Sequence, residues 1–402
     1  SSIPDNAKRY THLVINNSSF INNFAQKDGG GIHMKGSEYS KLFIAAQLEN
    51  VIFKNNSATL SGGGIYSEYG HLIGSSLHFT ENKAGTQGGG IHVEDSGVES
   101  SFLKNCIFIQ NQAPCGFAVS VKKLYLKVSK CHFEKNFDSN VDANEKNGGA
   151  IYITDLGTIT TNGKDFFQEV EIFETNFFQN YGQYGGGVFL NKGPRSIKIY
   201  NSNFTENMAT KQGGAIFVLS SGVLEISSTY LVRNNASIDG GAIALVDSSK
   251  FVPRNPTRKK DLKAANFIYY NKAGNRGGGI FADRDSELIM VEKNSIKCFN
   301  NTANIGGGIY NSEKFLQDFH YSNYPIDNFA LNGSDIITFS KVRLICKKST
   351  YFPLIMYDKN VVPTNTWNNI DALNNVLCLK CNDGEFSEEG SINCQKCIPG
   401  EA

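Results

Sequence analysis

The segment FKNNSATLSGGGIY, residues 53–66, holds two short motifs whose repetition decides the fold. The first runs from Phe53 through Asn56 to Ala58, and the second is a glycine cluster ending at the aliphatic anchor Ile65. Glycine stands three residues before the anchor in every copy, and a period of about 20 to 50 residues is typical of repeat architectures. The anchors, spaced 26 to 37 residues apart, are Ile32, Ile65, Ile91, Val119, Ile151, Val188, Ile216, Ile243, Ile280 and Ile309.

The first motif places one asparagine in each copy, three residues after an aromatic or aliphatic residue. In a parallel β-helix, equivalent residues of successive turns stack about 4.8 Å apart, so the asparagines would form a buried column with amides bonded to one another. The predicted ladder consists of Asn23, Asn56, Asn82, Asn111, Asn136, Asn180, Asn207, Asn234, Asn271 and Asn301.

The residues after each anchor alternate between apolar and other side chains, as in Ile91-His92-Val93, which indicates strands. We therefore predict an all-β chain whose residues 1–340 form a parallel β-helix of about 10–11 coils. The 39 basic and 38 acidic residues nearly cancel, so the chain lacks the charge pattern of a nucleic-acid-binding protein.

The paired motifs resemble the repeats of the polymorphic outer-membrane proteins of chlamydiae and related surface proteins of eukaryotic microbes. The resemblance covers about residues 20–336 and rests on the two motifs recurring together. It implies a right-handed, pectin lyase-like β-helix that serves adhesion or surface display.

The composition changes after residue 340, where the repeat stops. We expect residues 341–377 to form a capping or linker segment and residues 378–402 a small cysteine-rich unit. The pairs Cys378/Cys381 and Cys394/Cys397 fit a zinc ribbon or disulfides, and four cysteines allow three pairings. Residues 381–400 resemble an incomplete ephrin-receptor-like cysteine-rich repeat, and this resemblance implies disulfides, with Cys381 paired to Cys394.

Two further cysteines, Cys106 and Cys131, each lie two residues before the phenylalanine that opens the first motif, in consecutive copies. Stacked coils would bring their α-carbons to about 5 Å, within disulfide range, so we predict a bridge. We expect Cys298, in the aromatic column, to be a buried thiol.

Seven N-x-S/T sequons suggest secretion and N-glycosylation. Several lie beside a ladder asparagine, where strand alternation would turn them outward. The sequons are at Asn16, Asn17, Asn55, Asn203, Asn235, Asn300 and Asn332.

Two other columns are candidate sites. Acidic residues follow the anchors by three or four positions, and stacked carboxylates can share Ca²⁺, although a solvated corner is the simpler interpretation. The residue directly after the anchor is mostly aromatic or histidine and should face outward, either as an exposed stripe or under long insertions. The acidic candidates are Glu94, Asp95, Asp155, Asp247 and Asp283.

We expect a secreted or cell-surface structural or adhesive protein, without catalysis or a cofactor, that contacts other extracellular proteins or copies of itself, head to tail in a filament or coat. The alternatives are a carbohydrate-active β-helix enzyme and a non-catalytic carbohydrate-binding module. The aspartate cluster of a polygalacturonase-like site is not evident in the sequence, and the seven histidines are scattered.

Overall fold

The computed structural model describes most of the repeat region and a few strands beyond it. The described residues are 9–37, 42–94, 100–123, 125–137, 148–155, 158–161, 164–167, 169–191, 196–255, 265–290, 292–293, 295–312, 317–320, 325, 327–332, 336–338, 342–345, 350–351, 379–380, 385–386 and 395–396. Over these residues the chain is all β, with strands stacked in parallel as expected for a parallel β-helix.

Each coil begins with a strand of sheet A and then a short strand of sheet B, both ten-stranded and parallel. The strands of sheet A are Arg9–Asn16, Leu42–Glu49, Gly70–Ser75, Ser100–Lys104, Tyr125–Ser129, Val170–Phe173, Ser196–Tyr200, Val223–Ser227, Lys250–Arg254 and Glu287–Leu288. Those of sheet B are Ser19–Ile21, Ile52–Lys54, His78–Thr80, Ile107–Ile109, His132–Glu134, Asn176–Phe178, Asn203–Thr205, Tyr230–Val232, Asn266–Tyr269 and Ile296–Phe299.

Sheets C and D complete the coil. Sheet C has two parts joined by single bridges through Gln112 and Phe137, with strands Phe24–Ala25, Ser57–Ala58, Lys83–Ala84, Tyr181–Tyr184, Met208–Gln212, Asn235–Ala236, Lys272–Ala273, Thr302–Ile305 and Phe329–Asn332. Among the described residues, sheet D has eleven strands, of which ten begin at the anchors and the eleventh begins at Ile336. These strands are Ile32–Lys35, Ile65–Glu68, Ile91–Glu94, Val119–Lys122, Ile151–Thr154, Val188–Asn191, Ile216–Leu219, Ile243–Val246, Ile280–Ala282, Ile309–Asn311 and Ile336–Thr338.

Four two-stranded pairings lie outside these sheets. Gln317–His320 pairs in parallel with Val342–Ile345, and the other three pairs are antiparallel: Thr158–Thr161 with Lys164–Phe167, Thr350–Tyr351 with Leu379–Lys380, and Glu385–Phe386 with Gln395–Lys396. Cys378, Cys381, Cys394 and Cys397 lie outside the described residues, so their predicted bonding stays a prediction. The same holds for the boundaries of the capping and cysteine-rich segments.

Left-handed residues recur at three corners of the described coils: between sheets A and B, as at Asn105, between sheets B and C, and before sheet D. Between sheets B and C, one residue per coil has φ between 51° and 57°, as at Asn55, Glu81 and Tyr270. Glycine occupies the corner before sheet D, where an added Cβ would press on the backbone at the anchor. In the fifth coil this conformation is adopted by Gly149 and not by Gly148, the glycine that the spacing predicted.

The core contains two prominent inward columns, together with the inward apolar residues of sheet A such as Leu48 and Ile199. The anchors are buried, and seven phenylalanines of sheet B stack with ring centroids 4.4–5.0 Å apart and nearly parallel planes. The stack continues into Leu231, Ile268 and Cys298, which is a buried thiol. The phenylalanines are Phe20, Phe53, Phe79, Phe108, Phe133, Phe177 and Phe204.

The ten asparagines form one continuous column that extends to Asn328 in the eleventh coil, with Nδ2 to Oδ1 distances of 2.7–3.0 Å. Each interior Oδ1 also accepts the backbone N–H of the preceding ladder asparagine, as Asn111 does from Asn82. Each Nδ2 donates as well to a backbone carbonyl of the phenylalanine column, as from Asn111 to Phe79. The amide therefore has a partner for every donor and a paired acceptor, which a buried amide requires.

A second polar column lies at the corner between sheets A and B, and it corrects the prediction for Cys106 and Cys131. The two cysteines stack as expected, but both thiols are free. Cys131 Sγ accepts the backbone N–H of Cys106 at 3.4 Å and donates to the Ser129 carbonyl at 3.3 Å. Thr175, in the next coil, makes the same pair of contacts through its hydroxyl.

The predicted Cys106–Cys131 bridge is therefore not formed in the structure. In-register parallel strands hold equivalent side chains side by side at about 4.8 Å, whereas a disulfide needs its two β-carbons about 3.8 Å apart. The α-carbon spacing alone was a poor guide because it ignores this orientation.

Candidate functional site

Glu94, the first acidic candidate, belongs to a network on the outer side of sheet D. Its carboxylate accepts from the Tyr66 hydroxyl at 2.8 Å, and Lys122 Nζ lies 3.4 Å away. The imidazole of His92 lies 3.9 Å away and has the largest effect on the pKa of Glu94, which is lowered to about 2 although burial opposes this. The carboxylate therefore stays ionised, and Lys122 in the next coil balances its charge.

The other acidic candidates do not join Glu94 in one site. Asp247 and Asp283 are in adjacent coils, where Asp283 accepts the backbone N–H of Asp247 at 2.9 Å and the hydroxyl of Ser286 at 2.8 Å. Asp155 is three coils before Asp247, and Asp95 lies outside the described residues. In the described part of the chain, no group of three or more His, Cys, Asp or Glu side chains could hold a metal ion.

The aromatic column after the anchors lies on the outer face of sheet D, and all of it except the exposed His33 in the first coil is buried where it is aromatic or histidine. Phe189 and Phe217 are fully buried and Phe281 is 2% exposed, in a cluster separate from the core. Several residues directly before a corner glycine pack against this cluster, namely Cys115, Tyr184, Arg276 and Ile305. The Tyr184 ring centroid is 4.8 Å from that of Phe217, so the expectation of an exposed stripe is wrong here.

The same covering position holds a buried ion pair near the end of the rod. Arg276 lies over the rings of Phe281 and Tyr310, 4.5 and 5.2 Å from their centroids. Its guanidinium donates through two nitrogens to Asp239, each at 2.9 Å. Asp239 is 1% exposed and also accepts from Gln212 at 2.9 Å. This pair links three coils and has a structural role.

Six of the seven histidines have described side chains, distributed over three sheets. His12 and His71 line an open depression on the outer face of sheet A, separated by the intervening strand at Ala45. The imidazole of His92 is 3% exposed, and its Nδ1 has no hydrogen-bond partner in the structure. The arrangement does not bring a histidine, a basic residue and clustered aspartates together within the described residues.

Sheet B presents an outward aromatic surface that the sequence analysis missed. Tyr230 stacks on Phe267, and Tyr269 stacks on Phe299, each with ring centroids 5.1 Å apart and planes within 6°. Tyr270, at the left-handed corner, is 53% exposed. The sequence could have predicted this surface. The aromatic residues stand next to the inward residue that opens the first motif, and strand alternation directs such neighbours outward.

The sequon asparagines with described side chains lie on the outside of the coil. Asn16, Asn17, Asn55, Asn203 and Asn300 are exposed, and Asn235 is half-buried. The side chain of Asn332 lies outside the described residues. Asn203 and Asn300 border the aromatic surface of sheet B, because Asn203 pairs in register with Tyr230 and Asn300 follows Phe299.

Comparison with known families identifies the repeat. Residues 17–35, 50–68, 76–94 and 201–219 match the model of the Chlamydia polymorphic membrane protein repeat. Each match begins at the corner before sheet B and ends with the last residue of a sheet D strand, so the unit is one turn from corner to anchor strand. No curated protein and no solved structure gives a significant match. Proteins with this repeat are surface-exposed outer-membrane proteins of the adhesin type, which suggests a location at the cell surface.

None of the described residues belongs to a helix that is long and apolar enough to span a membrane.

Proposed function

We propose that this chain is a secreted or surface-displayed structural and adhesive glycoprotein that acts as a rigid rod without catalysis. The polymorphic membrane protein repeats in four of its coils support display at a surface. Secretion is further supported by the exposed sequon asparagines.

Rigidity follows from the two inward ladders. The asparagine column is continuous over eleven coils, and the phenylalanine rings stack over seven. Because each coil packs mainly against its neighbours, such a solenoid grows in length without needing a larger core. A long scaffold with regular outward columns can present adhesive side chains far from their attachment point.

The assembly proposal rests on one observation, the one-sided pairing of the strands in the first coil together with its exposed apolar side chains. Among the described strands, Arg9–Asn16, Ser19–Ile21 and Ile32–Lys35 are each hydrogen-bonded on one side only. Phe24 is 68% exposed and Ile21 51% exposed in this coil. Among the described strands this coil is paired on one side only, and it exposes apolar side chains. Such an edge pairs readily with another β-structure, and we propose that a second copy docks there head to tail.

The test compares assembly of the purified protein with that of an edge variant. Phe24→Lys places a charge on the open coil and is expected to abolish concentration-dependent assembly in sedimentation velocity. The control is Met208→Lys, because Met208 occupies the same outward column in the middle of the rod and is 40% exposed. A wild-type protein that stays monomeric at every concentration would overturn head-to-tail assembly.

Adhesion is tested separately, by coating beads with the rod and measuring their attachment to cells or matrix at physiological salt. Attachment that soluble rod competes away is expected. Cleavage of polysaccharides by the purified protein would instead contradict the non-catalytic assignment.

A further inference from the structure

The outward face of sheet B in coils eight to ten carries four half-buried aromatic rings. Tyr230 and Phe267 form one stacked column, and Tyr269 and Phe299 form a parallel one. Tyr270 meets Tyr269 edge-on at 5.4 Å. Tyr270 is the exposed member of this group, and aromatic rings that remain accessible on a surface are available for contacts.

Two sequon asparagines border this surface in register. Asn203 and Tyr230 are partners in adjacent strands, so they are about 4.8 Å apart along the rod. Asn300 follows Phe299 as Tyr270 follows Tyr269, which makes Asn300 the neighbour of Tyr270 in the next coil. Both asparagines are exposed.

The geometry of the stack determines what such a surface can hold. In a column of parallel rings, each ring covers the faces of its neighbours, and only the terminal rings have an open face. Tyr230 is terminal, because the next residue of its column is the short side chain of Asn203. The Asn203 amide nitrogen faces Asn176, so a sugar reaches the open face of the Tyr230 ring by extending outward past the short Asn203 side chain.

We propose that Asn203 and Asn300 carry N-linked glycans whose first N-acetylglucosamine packs on this aromatic face, so that the protein's own sugars cover it. The inference rests on the secretion proposed above. The apolar C–H face of the pyranose and its acetyl methyl group match an aromatic ring in the way that other apolar groups do.

The modification is a glycosyl transfer. The amide nitrogen of Asn203 forms a bond to the anomeric carbon of an oligosaccharide carried on a lipid diphosphate. The bond from that carbon to the diphosphate oxygen breaks, the lipid diphosphate leaves, and the amide loses one proton. One N–H remains on Nδ2, which suffices for its present bond to Asn176 Oδ1 at 2.8 Å.

The experiment uses the full chain secreted from a eukaryotic host that N-glycosylates. Site-resolved mass spectrometry measures which asparagines are occupied and how fast a peptide N-glycosidase releases each glycan from the native protein. Asn55 is the matched control, because it is exposed and left-handed like Asn300, and its neighbours in the column are Asn22 and Glu81. We expect release from Asn203 to be at least about threefold slower than from Asn55, a difference within the range of one aromatic contact.

Variants separate packing from simple occupancy. Tyr230→Ser should raise the rate of glycan release from Asn203 to that from Asn55 and leave the release from Asn55 unchanged. With Tyr230→Phe, release from Asn203 should stay slow. An upfield ring-current shift of the acetyl methyl protons, measured on the wild-type protein, gives the same answer without any substitution.

Three outcomes would overturn the inference. A glycan on Asn55 with none on Asn203 would refute the packing of a glycan on the aromatic face, while the proposal of a secreted glycoprotein would stand. If all seven sequons carry no glycan, both proposals are refuted. Equal release rates, together with a soluble oligosaccharide whose binding Tyr230→Ser abolishes, would assign the surface to an external glycan.

Discussion

Each ladder asparagine satisfies backbone groups that the corner between sheets B and C would otherwise leave buried and unpaired. Asn111 accepts from the backbone N–H of Asn82 at 3.1 Å and donates to the Phe79 carbonyl at 2.9 Å. Its two remaining bonds, to the side chains of Asn82 and Asn136, connect it to the coils on either side. The residue is fully buried, so water cannot replace these partners.

Replacing Asn111 by leucine should therefore lower the free energy of unfolding by about 2 to 5 kcal/mol, because two buried backbone groups lose their partners. Urea unfolding followed by far-UV circular dichroism measures the loss. The control is Asn176→Leu, since Asn176 is an exposed asparagine of sheet B and should cost about 0.5 kcal/mol or less. Equal losses in the free energy of unfolding for the two variants would show that the asparagine column does not stabilise the stacked coils.

The thiols of Cys106 and Cys131 act as weak hydrogen-bonding groups in a column that elsewhere uses threonine and serine. Burial raises the pKa of Cys131 well above its ordinary value, so the reactive thiolate is scarce. We expect both cysteines to resist alkylation at pH 8 in the native protein and to react within minutes in denaturant. Peptide mapping that finds them joined in a disulfide would contradict the structure.

At the scale of the element, the buried pair Asp239–Arg276 holds the outer layer of sheet D together. Arg276→Met would leave a carboxylate that is 1% exposed without its cation, and the expected loss is about 3 to 5 kcal/mol. Arg233→Met tests an exposed ion pair, to Glu206 at 4.0 Å, and should cost about 1 kcal/mol or less. Thermal unfolding of the two variants makes the comparison, and similar melting temperatures would contradict it.

The network at Glu94 makes the stability of the early coils depend on pH. Because the pKa of Glu94 is about 2 when folded and 4.5 ordinarily, its contribution is present above pH 4.5 and is lost as the pH falls toward 2. Glu94→Gln should flatten the dependence of the unfolding free energy on pH within this window. The exposed Glu81→Gln serves as control. A wild-type slope unchanged by Glu94→Gln would show that other groups cause it.

These elements also show what the sequence could and could not predict. The inward columns were predictable, because Asn111 and Phe108 recur at fixed positions and their burial follows from stacking. The two corners formed by residues other than glycine were not, since asparagine, glutamate, lysine and tyrosine all adopt a positive φ there and share no chemical type. The contact between Tyr184 and Phe217 could not be predicted from the sequence. Tyr184 precedes the corner glycine of one coil and Phe217 follows the anchor of the next, so only the stacking of the coils brings the two rings together.

For the whole molecule, the in-register ladders imply that stability is a sum of local terms between neighbouring coils. Sheets A, B and D each run through ten or more coils, although the copies differ in length. The extra residues of the longer copies do not interrupt these three sheets. Length along the axis therefore depends on the number of coils and not on the number of residues between them.

The most direct test of this account is a set of distances along one outward column of sheet A, measured by pulsed electron resonance with labels on unnatural amino acids, which leaves the native thiols unmodified. Glu49, Lys104, Ser227 and Arg254 occupy equivalent positions in this column. From Glu49, the backbone separations should be about 10, 29 and 34 Å, rising by about 4.8 Å per coil. Distances that follow residue number, or that do not increase from one coil to the next, would contradict the stacked β-helix and the rod built on it.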